Sequence, residues 1–128
     1  MKRKSSLLDS LKKYFHQREP SALEILHLGN QKYREGHYNL ALHTYRLALE
    51  RVKQEKKNNK NIHLRCEILN RIIAALYSLR KYEKAKDECS QLINFILLHK
   101  ENNEYWKNLL GKIYIRAGGC YYWLGNYE

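Results

Sequence analysis

Three eight-residue blocks of this chain align: Lys32 to Asn39 (KYREGHYN), Leu76 to Glu83 (LYSLRKYE) and Tyr121 to Glu128 (YYWLGNYE). Each has tyrosine in second and seventh place, and Tyr38, Tyr82 and Tyr127 lie 44 and then 45 residues apart. Ala41 and Ala85 extend two of the blocks in the same register. A fixed period of this length marks a repeat architecture, in which one supersecondary unit buries its apolar face against the next.

The apolar spacing around the blocks is helical. Leu69, Ile72, Leu76 and Leu79 follow a 3-4-3 spacing that places them on one helix face. Ala85, Cys89, Leu92, Ile93 and Ile96 form a second stripe, and Ile25, Leu28, Ala41, Tyr45, Ala48 and Leu49 repeat the pattern upstream. Each unit is therefore expected to be two antiparallel helices joined by a tight turn. Gly36 and Gly125 fall where the first helix should end in a left-handed residue, and Arg80 holds that place in the middle unit. The spacing predicts helices at about 5–17, 21–35, 38–56, 62–79, 82–100 and 103–124. Gln54 to Asn61 (QEKKNNKN) reads as a solvated helix end and loop.

Before the first repeat, Leu7, Leu8, Leu11, Tyr14 and Phe15 make an apolar stripe, with Ser5 or Ser6 as its cap and Pro20 as its end. A helix covering the first repeat is expected here. The domain reading is a capping helix over 1–20 and a repeat domain over 21–128, with units at about 21–60, 61–101 and 102–128.

Composition narrows the function. Twenty-four Lys and Arg against thirteen Asp and Glu give a net charge of +11. No apolar run approaches the ~20 residues of a membrane span, and charges at Asp9, Lys12 and Lys13 break up any signal-peptide core. Asp9 and Glu19 also count against a mitochondrial transit peptide, so a cytoplasmic chain is expected, with the nucleus open to it. Cys66, Cys89 and Cys120 are widely spaced and read as buried thiols. No metal-ligand spacing, Gly-rich phosphate loop or nucleophile elbow occurs, so neither metal nor cofactor nor catalysis is expected.

From Ile25 to Leu49, the residues Leu28-Gly29-Asn30, Gly36, Tyr38, Ala41, Tyr45 and Ala48 resemble the tetratricopeptide repeat. Leu69 to Leu92 and Tyr114 to Glu128 are similar again. The resemblance implies an all-α, right-handed superhelical solenoid of helix-turn-helix units behind the N-terminal amphipathic helix. Gly29 and Ala41 would let paired helices approach closely, and Tyr38 and Tyr45 would fill space between units. The chain departs from the family's usual period of about 34 residues by roughly ten. Lys32 stands where a large apolar residue is usual, and Ile73 where Gly or Ala is. The third unit stops at its second helix. A fragment of a longer protein, or self-association through that uncapped edge around Tyr121 and Trp123, is expected.

The resemblance also implies a concave groove lined by the first helix of each unit. It would hold Leu26, His27, Asn30, Tyr33 and Arg34, then Glu67, Asn70, Arg71, Ala74, Tyr77 and Ser78. Lys112, Ile115, Arg116, Gly119, Tyr122 and Trp123 would complete it. This set is basic and rich in tyrosine, which suits an acidic peptide or a free C-terminal carboxylate. The co-chaperone branch of the family clamps two carboxylates of chaperone tails. Asn30, Lys112 and Arg116 match that clamp, Leu26 stands where it needs Lys, and Arg71 stands in register where it needs Asn, with Asn70 one step away. The expected peptide-binding residues are Asn30, Tyr33, Asn70, Arg71, Tyr77, Lys112, Arg116 and Tyr122. The alternative is an RNA-associated scaffold, since eleven tyrosines and the net charge of +11 supply stacking and phosphate contacts.

Overall fold

A computed structural model describes residues 2–15, 18–55, 59–99 and 104–125. These form α1 (Lys2–Tyr14), α2 (Ala22–Arg34), α3 (Tyr38–Gln54), α4 (Asn59–Ser78), α5 (Tyr82–His99) and α6 (Glu104–Leu124), with no strand among the described residues. The chain is all-α. No described helix is long and apolar enough to cross a membrane. The chain divides into two compact units, Met1–Ile68 and Leu69–Glu128, with α4 contributing to both.

In the first unit, α2 begins with a capping box. Ser21 Oγ accepts from the Glu24 amide at 3.2 Å, and Glu24 Oε1 accepts from the Ser21 amide at 3.0 Å. The Ala22 amide, another donor that a helix start leaves without a partner, goes to Glu55 Oε1 at the end of α3, 3.2 Å away. Tyr33 at the end of α2 meets Tyr38 at the start of α3, ring to ring at 5.0 Å. The two helices therefore run antiparallel. Midway along, Gly29 faces the Tyr45 ring, and Tyr45 is fully buried. Tyr45 thus fills space inside one helical hairpin, not between repeats. Ala22, Ile25, Ala41, Ala48 and Val52 complete that core.

The second unit packs Ile72, Ile73, Ala75 and Leu76 of α4 with Ala85, Cys89, Leu92 and Ile96 of α5 and Trp106, Leu109, Ile113 and Cys120 of α6. Tyr82 lies against Trp123, Lys86 against Tyr121 and Cys89 against Cys120, so α5 and α6 are antiparallel.

The period of the sequence returns as hydrogen bonds. At the α2–α3 turn the amides of Glu35, Gly36 and His37 donate to the carbonyls of Gln31, Tyr33 and Lys32. Forty-four residues on, Leu79, Arg80 and Lys81 donate to Ala75, Tyr77 and Leu76. Gly36, Arg80 and Gly125 have φ of 83°, 61° and 73°, the left-handed value each turn needs. The Gly125 amide donates to Tyr122, as Gly36 and Arg80 do to Tyr33 and Tyr77.

Four expectations change. The first helix starts at Lys2, so Ser5 and Ser6 lie within it and not at its N-terminus. Tyr14, placed on its apolar stripe, is exposed, while Leu11 is buried; the side chain of Leu8 lies outside the described residues. Helix α4 begins at Asn59, inside the run read as a loop. Leu26 and Ala74, expected to face open groove, are 5% and 8% exposed and belong to the core. Tyr127 lies outside the described residues.

Candidate functional site

The residues expected to bind peptide fall into two groups, one in each unit. In the first unit, Asn30 is half-buried and its Oδ1 accepts from the Tyr45 hydroxyl at 2.7 Å. This bond ties α2 to α3 at the place where Gly29 admits the tyrosine ring, so Asn30 has a structural task. Tyr33 is half-buried and packed on Tyr38. His27 and Arg34 are exposed. Both line a cleft of about 340 Å³ with Tyr14, Phe15, Leu28 and Gln31. Glu24 borders this cleft but is held by Arg18 through two hydrogen bonds of 2.8 and 2.7 Å. The Arg18 guanidinium and the Ser21 amide pull the Glu24 carboxyl down to about 2.

The second unit brings more of the expected residues together. Tyr77 lies in the last turn of α4, and half-buried Arg116 with exposed Tyr122 and Trp123 comes from α6. The Arg116 guanidinium sits 5.0 Å from the centre of the Tyr77 ring, within cation–π range. The Tyr77 hydroxyl accepts from Trp123 Nε1 at 2.9 Å. Trp123 stacks on Tyr82 with an interplanar angle of 10° and a separation of 5.8 Å. Tyr122 meets Trp123 edge-on at 5.4 Å.

Gly119 makes this assembly possible. A Cβ there would stand 2.8 Å from the Tyr77 hydroxyl oxygen, so the tyrosine would have to shift to admit a side chain. The cluster is held from three helices, and its outer members stay open: Tyr122 is 60% and Trp123 57% exposed.

An arginine laid on a ring face keeps its planar N–H edge for hydrogen bonding, which suits a carboxylate. A phenol that accepts one hydrogen bond retains its own proton to donate. Lys112, one helical turn before Arg116, is exposed. Arg71 is exposed and Asn70 half-buried on α4. In the second unit, then, Tyr77, Arg116 and Tyr122 share one cluster with Trp123, whereas no contact joins Asn70, Arg71 or Lys112 to it among the interactions described.

The expected binding residues include neither Tyr82 nor Gly119. In the sequence Tyr82 is visible only as a repeat marker, with nothing to show that it backs a tryptophan. Gly119 is expected on the groove, but its task depends on Tyr77, far away along the chain.

Comparisons with models of known protein families, with curated proteins and with solved structures found no match.

Proposed function

We propose that this chain is a helical-repeat protein of the tetratricopeptide kind, stacked as a solenoid, that acts as a non-catalytic interaction module for an acidic peptide. In this reading Arg116 takes a carboxylate, such as a free C-terminus, and Tyr122 and Trp123 take a neighbouring apolar side chain. Lys112, Asn70 and Arg71 supply outlying polar contacts. Asn30 and Tyr33 belong to the same family pattern in the first unit, with Asn30 oriented by Tyr45.

The observation that carries the reading is the seating of Arg116 on Tyr77, with the Tyr77 hydroxyl in turn fixed by Trp123. A cationic group already ordered on a rigid aromatic base loses less conformational entropy on binding than a loose surface arginine. The repeated turns at Gly36, Arg80 and Gly125 support the repeat assignment, since the residue at each is left-handed.

The second reading is an RNA-associated scaffold, favoured by the net charge of +11. A salt titration separates the two. Binding through several phosphates should weaken by about a hundred-fold or more between about 50 and about 200 mM salt. A site built on one or two carboxylates should weaken far less. A steep slope with RNA, together with no affinity for acidic peptide, would replace the proposed function with the second reading.

A further inference from the structure

The cleft of about 340 Å³ in the first unit joins two kinds of chemistry. Its wall is aromatic. Tyr14, the last residue of α1, meets Phe15 edge-on at 4.9 Å, and the Arg18 guanidinium lies 5.4 Å from the centre of the Phe15 ring. Tyr14 is 61% exposed, so much of its surface is open to another ring. The floor is polar around Leu28. His27, Gln31 and Arg34 stand on one face of α2 at i, i+4 and i+7, and all three are exposed. They span about 10 Å of helix, more than a bare anion needs.

Charge gives the cleft its sign. Glu24, the carboxylate on its border, is bound through both oxygens by Arg18 at 2.8 and 2.7 Å. Glu35, next to Arg34 in sequence, accepts from Gln31 at 3.3 Å and from Lys32 at 3.4 Å. Arg34 takes part in none of the ion pairs among the described residues. A planar cation with its donor edge open therefore shares the cleft with an aromatic wall, an amide and an imidazole. We infer that this cleft binds a small aromatic anion, with its ring against Tyr14 and Leu28 and its anionic group on Arg34. An exposed tyrosine offers a stacking face to any planar ring. A guanidinium holds phosphate or carboxylate oxygens in pairs. The volume is at the small-molecule end of binding cavities, which run from roughly 300 to 1,000 Å³. The cleft shares no residue with the carboxylate site at Arg116, so either can fail alone.

Calorimetry with the full chain tests this with four probes. Adenosine monophosphate and phenyl phosphate are aromatic anions, adenosine is a ring without the charge, and ribose phosphate is the charge without the ring. At least one aromatic anion should bind saturably, and at least about ten-fold more tightly than adenosine or ribose phosphate. Binding of adenosine monophosphate alone identifies a nucleotide as the source, and binding of phenyl phosphate as well identifies a simpler aromatic phosphate. Tyr14→Ala and Arg34→Gln should each weaken that binding by at least about ten-fold, whereas Tyr14→Phe, which keeps the ring, should retain it. Both side chains are exposed, so circular dichroism and melting temperature should stay at wild-type values in all three variants. The inference is overturned if neither aromatic anion saturates, or if adenosine or ribose phosphate binds as tightly. Wild-type affinity in Tyr14→Ala or in Arg34→Gln overturns it too.

Discussion

Gly29 and Tyr45 fit because one has no side chain: a Cβ on Gly29 would stand 2.6 Å from two carbons of the Tyr45 ring. In the 44-residue register Ile73 replaces Gly29 and Cys89 replaces Tyr45. Both replacements are fully buried. The first hairpin therefore puts the small residue on its first helix, and the second puts it on its second helix. Ile73, at odds with the family pattern, is matched by a cysteine where the first repeat has tyrosine.

Gly29→Ala should consequently destabilise the protein by about 1–3 kcal/mol through overpacking, although a helix interior alone favours Ala by about 1 kcal/mol. Gly118→Ala, with no neighbour within 4 Å, should raise stability by about 0.5–1 kcal/mol. Urea unfolding of the two variants checks the contrast in sign.

Arg80 is the one described non-glycine residue with positive φ, at 61°. Arg80→Gly relieves that conformation but gives the unfolded chain more freedom. The difference should leave the variant more stable by about 0.5–1 kcal/mol. Gly36→Ala, at φ 83°, should move the midpoint of thermal unfolding the other way.

Glu24 ties acid stability to the α2 cap. Its folded value of about 2 is below the ordinary 4.5, so the unfolded chain takes up this proton first as pH falls. The stability it contributes is complete above about pH 4.5 and is lost as pH falls towards about 2. Glu24→Gln should lower the melting temperature at neutral pH and flatten its dependence on pH across that window.

The three cysteines are all fully buried, and burial pushes the thiols of Cys66 and Cys89 up to about 12. A thiol raised above its ordinary 9.0 contributes stability below pH 9 that disappears between about 9 and about 12. At pH 8 a chromogenic disulfide reagent should label the folded protein slowly and the urea-unfolded protein at once. Equal rates would contradict the burial.

Much of the fold was legible because two periods coincide in this chain. The 3-4 spacing of Leu69, Ile72, Leu76 and Leu79 points to the core side of α4 only in part: Ile72 and Leu76 are buried, Leu69 and Leu79 are half-buried, and Ile73 and Ala75 beside them are fully buried. Glycine at 36 and 125 marked left-handed turns, and register alone extended the expectation to Arg80. Burial of Leu26 and Ala74 was not legible, because a periodic stripe gives the centre of a core face and not its width. The binding residues were only partly legible. A sequence shows that Arg116 and Tyr77 are both present, but not that Gly119 lets the tyrosine lie beneath the arginine.

The most direct measurement is calorimetric titration of an acidic peptide ending in Glu-Glu-Val-Asp, with its C-terminus free or amidated, against wild type, Arg116→Ala and Gly119→Val. The expected result is micromolar binding of the free-carboxylate peptide to wild type. That binding should be lost on amidation and in Arg116→Ala, and weakened in Gly119→Val, where Tyr77 has to shift. Equal affinity for the free and amidated peptides, or wild-type affinity in Arg116→Ala, would contradict recognition of a carboxylate at Arg116.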